Sequence, residues 1–231
     1  MTAYLTALKS SGDNNEQAQL THNLRASLDL ILSDLKRAGG TASDDLDSSP
    51  LIIQKLPLSM AKMGNMYGQD NDFTNTDNGN LKLWSCSAAS ECPCVTYSYD
   101  LDRDGDLYTG KMNHFGFKLS GTRLQIRTGS TVAPGVAHPG CGYDQPDNTW
   151  ESLTEDDIQI TQFSVSYIDG DGNILAEPEA INIQNGSACS SGDQCIEERN
   201  LQVTISGTKD EFSLTVSGKV RVRNDRFFLK P

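Results

Sequence analysis

The chain predicts an α+β fold: a long N-terminal helix packed on a mainly antiparallel β-sheet domain. Two patterns carry that prediction. In the first forty residues the apolar positions Leu20, Leu24, Leu28, Ile31, Leu35 and Ala38 recur at gaps of three and four, one stripe on a helix of 3.6 residues per turn. Beyond them, short runs rich in β-forming residues alternate with Gly, Asn, Asp and Ser, and all six cysteines fall in this later part. The organisation read from this is a helical stem over residues 1–38 and a disulfide-containing, β-rich globular part over 39–231.

Residues 1–38 read mostly helical. Tyr4, Leu5 and Leu8 form a first apolar turn or two, and Ser10-Ser11-Gly12-Asp13-Asn14 is a polar interruption able to fray or kink the helix. Helix throughout 16–38 would span roughly 35 Å. Gly39-Gly40 supplies the left-handed stop that helix C-termini favour. Leu30 and Leu32 lie off the stripe and widen its apolar arc, which predicts burial on more than one side. Residues 39–50 read as a linker, Leu51-Ile52-Ile53 as a short strand, and 59–80 as a loop in which Met60, Met63 and Met66 are gap-fillers.

The β signals follow in series. Leu81–Trp84 is short. In Cys94–Tyr99, Val95, Tyr97 and Tyr99 alternate with Thr96 and Ser98. Phe115–Leu119 and Arg123–Arg127 form a hairpin about Ser120-Gly121, and 129–150 is a long Gly/Pro loop holding Cys141. Ile158–Ile168 is the longest strand candidate and runs into the turn Asp169-Gly170-Asp171-Gly172-Asn173. Leu201–Ser206 and Phe212–Ser217 form a second hairpin around Thr208-Lys209-Asp210, with Gly218 as a bulge or break before Val220–Arg223. One long helix on a β domain is the build of a subunit that packs helix to helix in a filament, the apolar Tyr4, Leu5 and Leu8 being its partner-facing turns.

Composition narrows the function classes. Nineteen basic against thirty-one acidic residues give a net charge of −12, which argues against nucleic acid and against docking on anionic lipid. Cys86, Cys92, Cys94, Cys141, Cys189 and Cys195 are even in number, and Cys92-Pro93-Cys94 is too tight for a zinc knuckle, so disulfides in an oxidising compartment are expected. Cys189 with Cys195 is the leading pair, across the flexible Ser190-Ser191-Gly192-Asp193. Cys86 with Cys92 or Cys94 comes next, and Cys141 takes what remains. Met1 leads directly into Thr2-Ala3-Tyr4-Leu5 without an apolar leader. A disulfide-bearing chain needs export, so a hydrophobic segment upstream of Met1 is expected to have been cut away.

Three stretches carry a family resemblance. Leu24-Arg25-Ala26-Ser27-Leu28-Asp29-Leu30, continuing through Asp34-Leu35-Lys36-Arg37-Ala38-Gly39, resembles the end of the N-terminal helix in PilW-type minor pilins of type IV pili. Cys94-Val95-Thr96-Tyr97-Ser98-Tyr99-Asp100, running into Asp102-Arg103-Asp104-Gly105, is similar to that family's central strand and turn, and Val220-Arg221-Val222-Arg223-Asn224 to its closing strand. The resemblance implies a prepilin with a cleaved leader and a hydrophobic helix half that sits first in the inner membrane and later in the pilus core. It implies a role in priming assembly near the tip, with other minor pilins and the major pilin as partners, and a fold like that of the J-type pseudopilin of type II secretion. The leader, the hydrophobic helix half and the acidic residue near the mature N-terminus are absent from this sequence, so membrane anchoring is expected only through the missing upstream helix.

Asp100, Asp102, Asp104 and Asp106 with Gly105 form the sharpest chemical constellation. The spacing D-x-D-x-D-G opens an EF-hand loop and suits calcium, although Lys111 stands where the loop needs a bidentate Glu. The competing reading is a strand-end turn. Asp169, Asp171 and Asn173 echo the pattern and read as a hairpin turn. Lys219, Arg221 and Arg223 alternate with Val220 and Val222 as an exposed basic stripe, suited to a protected edge or to an acidic patch on a partner. Tyr97, Tyr99, Trp84 and Trp150 read as aromatic core before carbohydrate platform. His22, His114 and His138 each stand alone, and no nucleophile elbow, P-loop or zincin motif occurs. The expectation is a non-enzymatic minor pilin subunit. Its rivals are a J-type pseudopilin and a calcium-dependent carbohydrate-binding or adhesin module.

Overall fold

The computed structural model describes residues 2–38, 81–89, 91–98, 114–129, 141–142, 149–223 and 226–229, with side chains on the N-terminal helix described from Gly12 onward. Residues 39–80 lie outside this set, and with them the Gly39-Gly40 stop, the linker, the Leu51–Ile53 strand and the three methionines.

Helix α1 (Thr2–Leu35) is continuous through the polar stretch at Ser10–Asn14, where the sequence suggested a kink. Its 34 residues make a rod about 50 Å long. The last turn tightens: Arg37 N–H donates to the Asp34 carbonyl at 2.9 Å and Ala38 N–H to that of Leu35 at 3.2 Å, both three-residue closures. The predicted stripe is the buried one, with Leu20, Leu24, Leu28, Ile31, Leu35 and Ala38 all inside. The off-stripe leucines divide. Leu32 packs against the core, whereas Leu30 is 42% exposed, so the wide arc is not buried on a second side.

Twelve strands follow among the described residues. Strands β1 (Lys82–Trp84), β2 (Cys94–Ser98), β3 (His114–Ser120), β4 (Arg123–Gly129) and β5 (Thr149–Ser152) form an antiparallel meander in chain order. Strands β6 (Gln159–Ile168), β7 (Ile174–Leu175), β10 (Asn200–Lys209) and β11 (Phe212–Arg221) form a second sheet ordered β11-β10-β6-β7. Strands β8 (Glu179–Asn182), β9 (Gln194–Glu198) and β12 (Arg226–Leu229) form a third, ordered β12-β9-β8. The hairpin turns are tight. Ser120 pairs with Arg123 around Gly121 at φ +61°, and Lys209 pairs with Phe212 around Asp210 at φ +50°, a left-handed conformation that Asp tolerates.

Sequence readings change here: the stretch read as a loop over 129–150 gives Gly129 to β4 and Thr149-Trp150 to β5. The β10–β11 turn is Asp210-Glu211, so Thr208 and Lys209 belong to the strand. Gly218 neither breaks nor bulges β11; the irregularity of this sheet lies at Ser206/Gly207, where β10 meets β6.

Strand β10 shows why the second sheet is legible. Leu201, Val203 and Ile205 are fully buried and their neighbours half-exposed, the period of two expected of a sheet with one wet face. Strand β2 departs from that rule. Cys94, Val95, Thr96 and Tyr97 are all buried, so both faces are covered, and the Thr96 hydroxyl accepts the Trp84 indole N–H at 2.6 Å. A single apolar core joins the helix stripe to Val95, Tyr97 and Phe117 of the first sheet and to Phe163, Val165, Leu201, Val203 and Ile205 of the second. The disulfides are Cys86–Cys92, Cys94–Cys141 and Cys189–Cys195, and no described cysteine is free.

Candidate functional site

The functional candidate is the helix together with its seat. Helix α1 runs antiparallel to β10, and a series of contacts traces its course. Gln19 lies at Lys209, at the hairpin end of β10. Leu24 lies over Gly207, Leu28 and Leu32 lie over Gly218, and the Lys36 carbonyl accepts the Arg223 amide at 3.3 Å. The two glycines make the seat possible. A Cβ on Gly207 would stand 3.2 Å from the Leu24 side chain, and one on Gly218 would stand 2.5 Å from Leu32 Cδ1. Both belong to the helix-facing rows of their strands, where an added side chain would press on the leucines of the helix. At the far end of the seat, the Tyr97 hydroxyl of β2 donates to the Asp34 carboxylate, tying helix α1 to the first sheet as well.

Burial changes abruptly along the helix. From Leu20 onward the stripe is inside. From Gly12 to Gln19 no residue is buried, and Gly12, Asn14, Asn15, Gln17, Ala18 and Gln19 are exposed. The boundary is held by polar groups. The Lys209 ammonium donates to Gln19 Oε1 and, at 2.6 Å, to Asp157 Oδ2. Lys209 occupies a core-facing position of β10 and is 6% exposed. Its hydrogen bond to Asp157 holds that carboxyl below the usual range and raises the Lys209 ammonium, with the charges of Glu155 and Asp210 acting in the same direction on the lysine.

A second charged cluster lies on the first sheet. Trp150 crosses the position above Gly116, where a Cβ would meet its ring at 3.2 Å and the Val95 carbonyl at 2.8 Å. Lys118 Nζ lies 4.2 Å and the Arg127 guanidinium 4.7 Å from that ring. Burial lowers Arg127 to about 10, and burial together with the Arg127 charge lowers Lys118. Tyr97 is fully buried and stacks on Phe115 and Phe117 at centroid distances of 5.9 and 6.1 Å. Tyr97 therefore offers no surface to a sugar, and Trp150 is engaged by cations of its own chain.

The sequence-predicted site residues fare unequally. Asp100, Asp102, Asp104 and Asp106 lie outside the described residues, and among the described residues no group of three metal-ligating side chains comes together. Tyr4, Leu5 and Leu8 fall within the first turns of helix α1, with their side chains outside the described set. Cys189 and Cys195 are bonded to each other. In the echo motif, Asp169 accepts the amides of Asp171 and Asn173 at 2.9 and 2.8 Å and the Asn173 side-chain amide at 2.8 Å, and these bonds lower its carboxyl. Its oxygens are committed to the turn. The basic stripe is on the surface, with Val220 and Val222 buried behind it and Arg221 pairing with Glu198 at 3.2 Å.

Sequence reasoning missed Gln19, Asp157, Lys209 and the seat glycines. The alternation of β10 held a signal, since Lys209 continues the inward row of Leu201, Val203 and Ile205. Among the described residues no helix is long and apolar enough to cross a membrane.

No curated protein and no solved structure matches the chain. The family model described as prepilin peptidase-dependent protein B does match, over residues 13–222, a span that takes in the seated helix and nearly all of the β domain. The chain belongs to the prepilin peptidase-dependent protein B family, which makes it a type IV pilin-related, pseudopilin-like protein of the cell envelope.

Proposed function

We propose that this chain is a PilW-type minor pilin and acts, without catalysis, in assembling a type IV pilus, in a priming or tip complex with other minor pilins and the major pilin. The observation that carries the reading is the split in helix α1. Its own sheets take the apolar stripe from Leu20 onward, while no residue from Gly12 to Gln19 is buried, so the helix continues as a stem beyond the body. A subunit built to join a bundle of helices needs such a stem, and family membership supports the same role. The stem's apolar Tyr4, Leu5 and Leu8 are assigned to contacts with sister subunits.

The test places Leu8→Asp in the full-length protein in its own host. Piliation should fall sharply while the melting temperature of the purified domain stays unchanged. Intact pili with loss of protein secretion would replace this reading with the J-type pseudopilin. Calcium at Asp100, Asp102, Asp104 and Asp106 is part of the proposal on spacing alone. Binding would stabilise the fold by mass action, so calorimetry that shows no heat and no melting shift at millimolar calcium removes it.

A further inference from the structure

We infer that Lys209 is a latch that fixes the point and direction at which helix α1 leaves the body. The apolar grip ends at Leu20, and the residues before it on the same side, Asp13, Glu16 and Gln17, are polar and half-buried or exposed. Among the described side chains the last hold on the helix is therefore polar, and it is the Gln19–Lys209 hydrogen bond. Lys209 stands where the alternation of β10 calls for an apolar side chain, and it joins three segments far apart in sequence: the helix, the turn before β6, and the β10–β11 hairpin. A cation buried at such a position costs desolvation that an aliphatic side chain would avoid. Directional bonding is what it supplies in exchange. The apolar contacts of the stripe carry no directional bond at this end of the seat, whereas the ammonium, bonded to Gln19 and Asp157, ties the helix exit to the hairpin. Asp157 accepts from the same ammonium, so one group joins the hairpin, the turn and the helix exit. The latch depends only on this chain's own contacts and holds whatever assembly the stem joins.

Amide hydrogen exchange of the whole chain tests it. Lys209→Met keeps the aliphatic bulk and removes both hydrogen bonds. Exchange at residues 16–24 should accelerate about tenfold, with protection of 159–168 and 201–206 unchanged. Gln19→Leu, which leaves the Lys209–Asp157 pair in place, should accelerate the same amides, and it carries the test if Lys209→Met fails to fold. Wild-type exchange at 16–24 in both variants would overturn the latch, because the contacts of Leu20 and Leu24 would then hold the helix end alone. Loss of protection throughout 159–168 and 201–206 in step with the helix in Gln19→Leu would also overturn it, since the contact would then support the whole body.

Discussion

From Gly12 to Gln19 helix α1 carries no buried residue, whereas from Leu20 to Ala38 its stripe is buried without a gap. Both parts belong to one continuous helix, so helical form does not distinguish them. The stretch Gly12-Asp13-Asn14-Asn15, in which no residue is buried, is built from poor helix formers, and continuity with the seated part holds it in register. The seated part derives its stability from side-chain burial against β10 and β11. The lesson is that burial against the sheets, and not helical form, divides this helix into two parts.

Substitutions can break that contrast or sharpen it. The largest effect should come from Leu24→Ala, which opens a cavity at a fully buried stripe position and should cost about 2–5 kcal/mol in urea unfolding. Next is Gly218→Val, whose side chain takes the space of Leu32 Cδ1; overpacking of about 1–3 kcal/mol should follow, with faster exchange in the seated helix.

A third effect appears only in acid. Asp157 titrates below its ordinary range because Lys209 donates to it. Its contribution to stability is complete above the unfolded carboxylate value of about 4 and is lost as pH falls through the lowered folded value. Asp157→Asn should therefore be less stable than wild type at neutral pH, and melting curves across pH 2–7 should show the gap closing toward the acid end. The smallest effect belongs to the stem. Gln17→Ala should change stability by no more than about 0.5 kcal/mol, and a loss comparable to Leu24→Ala would show that the stem is anchored after all.

How much of this was legible follows from how local each signal is. The stripe residues are readable because helical periodicity is local and every one of them is buried. The hairpins at Gly121 and Asp210 announce themselves through turn residues. Strands β7, β8 and β9 were not read, because two to five residues with mixed polarity give no periodic signal. Gly218 was misread because a glycine in a strand signals either a bulge or a close approach, and only the presence of Leu32 above it decides between them. The Cys189–Cys195 pair could be picked from its short loop, whereas Cys94–Cys141 spans 47 residues and no local rule selects it.

By itself the sequence determined the helix, its buried stripe, the antiparallel strands and the acidic, cysteine-bearing character of the chain, since each follows from residue type and spacing. Tertiary structure alone decided where the helix becomes a stem, which glycines admit it, and that Lys209 meets Gln19 across 190 residues of chain. Those are meetings of groups remote in sequence, and their partners exist only once the sheet has brought them together.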